Sequence, residues 1–476
     1  KLIIILPGET LVQGSPTGKT GIPDTHYAGE SWQGTVYLTD KYWNIATDTR
    51  PYIAIETTDP QDTEPTDKQI TTNGYAVFAF KFFTANQYNG TSAVIFDNKI
   101  TAKSVDVVGI SSYTSSSVII NPETIDHFTV ENYPDTVEAG ENKNITVVAR
   151  DQYENVTTGD YDENSNWIGG AKQYLDTVSF ETDNNHSLTT LPADYTFNTA
   201  DRGIHTWLSG VRLCQAGSNF YIKVYDYNDP TIYGEKTGIT VNPGPFAGFI
   251  VEPTNDVTIP AGDRQNITAQ TADQFGNPLT VSGVYCEVKI ITTTINPPPD
   301  PPSHQDYFFR VEYSSSDYYN TNIATATTDT DGKIGVSPII RLYVSTTKGD
   351  RCYVRVVSSG ATGSSANITT VGGPTKRFNF VGTPEATVTA GVWSESSNPF
   401  TVTRYDDYSN ITETGYTYIY VKTTSDAASR GRRYRFGLDP GKKQNPIYYT
   451  PLQGIVIHRH CAYTIYIWVG VTSYNN

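Results

Sequence analysis

The chain has 476 residues, a formal net charge of −16, 34 Tyr, four Cys and no Met. Its length allows several buried cores, its charge repels phosphate polymers and excludes nucleic acid as a partner, and no apolar run is long enough for a membrane-spanning helix. Thr, Tyr, Val and Ile, which favour strands, are abundant and amphipathic helical stretches are hard to find, so an all-β fold is expected.

The first predicted strand, Leu2, Ile3, Ile4, Ile5 and Leu6, is apolar on both faces, the pattern of a strand covered on both sides. Exposed, it would aggregate. It either pairs within its own module or completes the sheet of another subunit. Lys1 leads directly into it with no initiator Met, so a signal segment is expected to have been removed. Gly14 to Thr20 imitates a phosphate-binding loop, but only three residues separate Gly14 from Gly18, and Pro16 and Pro23 oppose the helix such a loop needs.

Next comes a phrase that recurs four times. Ala-Gly precedes an alternating strand that ends in Asp-x-aromatic-x-Asn: Ala28-Gly29 with Asp40, Tyr42 and Asn44; Ala139-Gly140 with Asp151, Tyr153 and Asn155; Ala261-Gly262 with Asp273, Phe275 and Asn277; Ala390-Gly391 with Asp406, Tyr408 and Asn410. The glycines lie 111, 122 and 129 residues apart, the size of a whole β-sandwich domain. Asp and Asn suit a turn, and the ring between them is expected to fold beneath it as a core anchor. Turn chemistry alone accounts for the phrase, so it reads as structural in all four places.

Pro- or Gly-bearing hinges between a closing and an opening strand divide the chain into 1–122, 123–242, 243–372 and 373–476. In the second module Asp160, Asp162, Asn164 and Asn166 have the alternating oxygens of a calcium loop, without its Gly at the sixth or Glu at the twelfth position; a polar turn is the default and calcium the one candidate cofactor. In the third, Cys286 and Cys352 are a candidate disulfide, buried free thiols being an equally good reading. Residues 297–302 form a stiff proline-rich loop. Asp329-Thr330-Asp331-Gly332 is a tight turn. Sequons at Asn89, Asn144, Asn155, Asn185, Asn266, Asn367 and Asn410 are candidate glycosylation sites.

The fourth module alone is basic, with 11 Lys and Arg against 7 Asp and Glu, whereas the second has 7 against 19. Its excess centres on Arg430, Arg432, Arg433 and Arg435, a candidate docking surface for an acidic neighbour or a solvated hairpin. His458, His460 and Cys461 cannot close on one zinc from a regular strand, because Cys461 points to the opposite face. Only 85 residues follow Gly391, and the last run, with Tyr463, Ile465, Ile467 and Val469 on one face, resembles a penultimate strand with no closing strand after it. A sheet short of a strand and a doubly apolar leading strand are the halves of donor-strand complementation.

Leu6-Pro7-Gly8-Glu9, Gly14 to Gly21, Ala28-Gly29 and Asp40 to Asn44 resemble the first module of long bacterial surface proteins built from tandem immunoglobulin-like repeats, and the later copies of the phrase are similar to invasin-like and filamin-like repeats. The resemblance implies an exported surface or extracellular structural protein and brings no catalytic residues with it. Four tandem immunoglobulin-like sandwiches in an elongated rod are therefore expected, not an enzyme. The expected role is the subunit of an extracellular filament or surface assembly, with identical subunits as partners. A monomeric adhesin or carbohydrate-binding rod, with glycans as partners, is the rival.

Overall fold

The computed structural model describes residues 1–88, 93–94, 97–292, 307–314, 318–381, 401–412, 436–437 and 453–455. All regular structure among them is β. No helix among the described residues is long and apolar enough to cross a membrane. The chain divides into two compact units, Lys1–Gly244 and Pro245–Asn476.

The first unit holds two cores. In one, Leu2–Ile5, Trp32–Leu38 and Tyr75–Phe80 form an antiparallel sheet, faced by a second sheet ordered Tyr113–Thr114, Ile100–Ser104, Tyr52–Thr57 and Lys68–Gln69. Alternation explains it: Trp32, Gly34, Val36 and Leu38 turn inward while Gln33, Thr35 and Tyr37 turn outward. Phe78, Ile53 and Ile100 are completely buried between the sheets, each side chain contributing roughly 1.5–3 kcal/mol. In the other core, His127–Glu131, Asn142–Arg150 and Ile204–Arg212 face a five-stranded sheet built on Gly217–Asp226 and Tyr233–Asn242, enclosing Phe128, Val147, Tyr174 and Phe197.

The second unit contains a third core, in which the sheet ordered Arg264–Ile267, Ile339–Tyr343, Phe308–Glu312 and Tyr318–Thr321 closes over a larger one carrying Tyr285–Thr292 and Arg351–Ser358. It also begins a further module, where Arg377–Val381 pairs antiparallel with Thr401–Tyr405.

One device repeats. The short strand before each of the first three Ala-Gly pairs runs parallel to its module's closing strand: His26–Tyr27 with Ile120–Asn121, Thr136–Glu138 with Thr240–Asn242, Val257–Pro260 with Ile368–Val371. The Ala N–H continues the ladder, donating at 2.8 Å to Asn121 O, Asn242 O and Val371 O. The Gly then turns the chain with φ of +80°, +83° and +73°, values open to glycine without strain.

Leu2–Ile5 belongs to its own first module, with Leu2 opposite Leu38 and Ile5 opposite Thr35. Leu2, Ile4 and Leu6 enter the core, and Ile3 is covered from the other side by the hairpin Glu9–Leu11 with Lys19–Gly21, where Gly18 abuts both Ile3 and Trp43. This is the intramolecular of the two pairings weighed for the strand, and the hairpin supplies the cover that its doubly apolar pattern demands. The hairpin also fixes the fate of the false phosphate loop: Lys19 Nζ lies 2.6 Å from the buried Glu9 carboxylate.

The candidate disulfide is not formed. Cys352 stands opposite Thr292 in the ladder, six residues along the strand from Cys286, a separation of about 20 Å. Cys286 and Cys352 are buried free thiols, and Cys214 is buried as well.

Candidate functional site

The recurrent Asp-x-aromatic-x-Asn segment is one turn built four times. Asp Oδ1 accepts the N–H groups two and four residues on, from Tyr42 and Asn44, Tyr153 and Asn155, Phe275 and Asn277, Tyr408 and Asn410, all at 2.7–2.9 Å. Its Oδ2 takes the Asn amide, and the Asp N–H returns to the Asn carbonyl. The fourth residue, Trp43, Glu154, Gly276 or Ser409, has φ near +70°, a local cost that the side-chain hydrogen bonds offset.

The same turn recurs at the calcium-loop candidate. Asp162 Oδ1 accepts Asn164 N–H and Asn166 N–H, and its Oδ2 takes the Asn166 amide. Asp160 instead accepts from Tyr27 Oη at 2.9 Å. The two carboxylates are thus engaged by different partners, and among the described residues no His, Cys, Asp or Glu cluster could hold a metal ion. Asp329 repeats the turn with Asp331 and Lys333.

Contrary to expectation, the ring of the phrase is no anchor of its own module's core at Tyr42, Tyr153 or Tyr408. Tyr42 and Tyr408 are 58% and 48% exposed, and Tyr153 packs against the module before its own. A Cβ on Gly29 would stand 2.2 Å from Tyr153 Oη, and Phe83 lies 5.0 Å from the Tyr153 ring. Beside them the fully buried Asn155 bridges the modules: Oδ1 accepts Ala85 N–H at 2.8 Å and Nδ2 donates to Phe83 O at 2.8 Å. Asp151 Oδ2 accepts Glu123 N–H from the connecting segment.

The second unit repeats this joint group for group. Asn410 Oδ1 accepts Lys348 N–H at 2.9 Å, Nδ2 donates to Thr346 O at 2.6 Å, and Asp406 Oδ2 accepts Gly373 N–H at 2.9 Å. A Cβ on Gly262 would stand 2.3 Å from Tyr408 Oη. Burial raises the Asp406 carboxyl, but the hydrogen bonds from Asn410, Gly373 and Tyr408 outweigh it and hold the group below the usual carboxylate range.

The first joint is larger. Asn121 exchanges hydrogen bonds with Tyr161 N–H and O, and Lys172 pairs with Glu123 while its Nζ lies 4.3 Å from the Tyr27 ring centroid. Burial and the hydrogen bond to Asp160 push the Tyr27 hydroxyl up to about 12.

Two sequons are corrected by this geometry: the amides of Asn155 and Asn410 are committed to the joints, so neither is free to carry a glycan. Asn144, Asn185, Asn266 and Asn367 are exposed, although Asn144 Oδ1 accepts Ser209 N–H. Asn89, Arg430, Arg432, Arg433, Arg435, His458, His460, Cys461, Tyr463, Ile465, Ile467, Val469 and the proline-rich loop lie outside the described residues. Sequence reasoning found the phrase but missed the joint, since nothing in a single copy shows which backbone the Asn will meet.

No family model matches the chain, and no curated protein matches it. Solved structures do. The Escherichia coli adhesin FdeC is similar at 12% identity over 74% of this chain and 95% of that one, with a TM-score of 0.27. Invasin, a bacterial integrin-binding protein, is similar at 11% over 97% and 74%, TM-score 0.23. A glycosyl hydrolase family 2 member of Bacteroides cellulosilyticus is similar at 12% over 51% of this chain and 28% of that one, TM-score 0.19. Bacterial surface proteins are thus among the structures this chain resembles, and the likeness is one of fold alone.

Proposed function

We propose that this chain is a structural subunit of an extracellular or cell-surface assembly, in which immunoglobulin-like modules are set in series by a repeated joint. The observation that carries the reading is the joint itself: in two places an Asn amide reads one backbone C=O and one backbone N–H of the preceding module while a Tyr ring closes over its Gly. Two hydrogen bonds and an aromatic contact fix the relation of neighbouring modules more firmly than a hinge of a few residues.

End-to-end association of copies extends the same chemistry. The turn Asp40 to Asn44 has the joint's internal geometry, yet Tyr42 and Asn44 face solvent and Asn44 Oδ1 has no hydrogen-bond partner among the described residues. It has the groups to receive a further module, and in an assembly a second copy would supply one. Donor-strand exchange of Leu2–Leu6 into the fourth module beside Tyr463 to Val469 is the other route, and it requires the strand to leave its own sheet. The arginines at 430, 432, 433 and 435 would contribute attraction toward the acidic modules of a neighbour.

Negative-stain microscopy of native material tests the reading. Linear assemblies are expected, shortened by Asn44→Ala with Tyr42→Ser if this turn is used, and by deletion of Lys1 to Leu6 if the strand is exchanged. Single particles at every concentration would overturn it and favour the rival, a monomeric adhesin.

A further inference from the structure

The outer face of the third module's smaller sheet has a composition unlike the rest of this acidic chain. Its register places Arg264 opposite Tyr343, Asn266 opposite Arg341, Arg341 opposite Arg310, and Arg310 opposite Asn320. The alternate residues Ile267, Phe309, Val311, Ile340 and Leu342 are buried in the core, so the strand period itself drives the three arginines to one surface.

Their electrostatics differ. Arg341 is neutralised, with Nη1 2.6 and 2.8 Å from the two oxygens of Glu312. Arg264 and Arg310 have no carboxylate at ion-pair distance among the described residues, in a chain with 50 Asp and Glu to supply one. Arg310 is held instead by rings, its Cζ 4.1 Å from the Tyr318 centroid and 5.0 Å from that of Tyr343, and Arg264 Nη1 reaches Tyr343 Oη at 3.4 Å. The rings pre-position the guanidinium planes without consuming their charge. The face forms an open concavity of about 490 Å³ with Ser314, Ser337 and the 47% exposed Tyr318 at its walls, beside the Glu312 carboxylate that Arg341 neutralises.

We propose that this concavity binds an acidic saccharide, a chain of sugars bearing carboxylates. Two guanidiniums without a carboxylate partner match a carboxylate through paired N–H donors, and the Ser and Tyr groups beside them match hydroxyls. The volume suits one or two sugar rings. A peptide would add to a sheet edge through its backbone, whereas here the donors are side chains on the outer face of the sheet. The site lies on one module and is independent of whether the chain polymerises.

The test is calorimetric titration of the full chain, with Asn266 unmodified, by a galacturonate tetramer, its methyl ester and a glutamate tetrapeptide. The acid tetramer should bind, weakening as salt rises. The ester and the peptide should each bind at least about tenfold more weakly, and Arg264→Gln and Arg310→Gln should each lose about tenfold. Lys236→Gln, in the second module, should change nothing. Because Arg264 is exposed, its substitution keeps the experiment decisive even where Arg310→Gln disturbs the sheet. No binding of the acid tetramer, equal binding of the ester or the peptide, or unaltered binding by both arginine variants would overturn the proposal.

Discussion

Tyr153 closes over Gly29 so tightly that the hydroxyl oxygen occupies the space a Cβ on Gly29 would need. Gly29 therefore meets two separate demands, a left-handed φ of +80° and a missing side chain. Gly238 meets only the first, with φ +73° and nothing within 4 Å of its would-be Cβ. Gly238→Ala should cost about 1–2 kcal/mol from backbone conformation alone, and Gly29→Ala should cost more by the loss of the Tyr153 contact. Hydrogen exchange at the Ala85 amide separates them, rising for Gly29→Ala and not for Gly238→Ala.

Asn155→Ala should have a related effect by a different route. It leaves Ala85 N–H and Phe83 O without partners in a buried setting, at a cost of about 1–3 kcal/mol. Exchange at the Ala85 amide should accelerate by about tenfold or more while amides inside either sandwich core keep their protection. Unchanged exchange would show that the Asn does not hold the modules together.

Glycan occupancy gives an independent reading of the same joints. Produced in a host that modifies sequons, the folded chain should carry sugar at Asn185 and Asn367 and none at Asn155 or Asn410, as peptide mass spectrometry would reveal. Modification of Asn155 in folded material would contradict its burial.

The buried thiols predict a dependence on alkaline pH. Burial pushes the Cys286 thiol up to about 11 and Cys352 up to about 12, because the interior penalises the thiolate. Their neutral forms are favoured by folding, so the stability of the third module should be fully present below the unfolded thiol range and decline as pH rises from about 9 toward these values. Native protein at pH 8 should resist alkylation at both, and mapping without reductant should find no peptide linking them.

Ile4→Ala should destabilise the first module by about 2–5 kcal/mol, since Ile4 is completely buried and its removal leaves a cavity. Urea unfolding followed by Trp fluorescence would measure it. A negligible change would mean that the strand Leu2–Ile5 is readily given up, which is what exchange between subunits requires.

Much of the fold was legible in the sequence, because its signals are local. Alternation in Trp32–Leu38 reports one buried face, the spacing of the Ala-Gly pairs reports module size, and Asp with Asn at four-residue spacing reports a turn. The doubly apolar strand was read correctly as covered on both sides, but its cover is the hairpin carrying Gly18, whose approach to Ile3 no periodicity reveals. Likewise the third module's basic face is scattered over Arg264, Arg310 and Arg341, which only strand pairing brings together. The ring of Tyr153 was assigned to its own core since sequence order cannot show that its nearest apolar surface belongs to the module before.

The parallel pairing of the early strand with the closing strand in each of the first three modules also fixes how such a chain bears tension. Because Thr136–Glu138 and Thr240–Asn242 run in the same direction, the chain enters that pair at one end and leaves it at the other. A pull on both termini slides the two strands past one another and loads all their hydrogen bonds together, where an antiparallel hairpin would be peeled open one bond at a time. Rupture then needs several bonds to fail at once, so under load the module's lifetime is set by this short ladder and its unfolding rate.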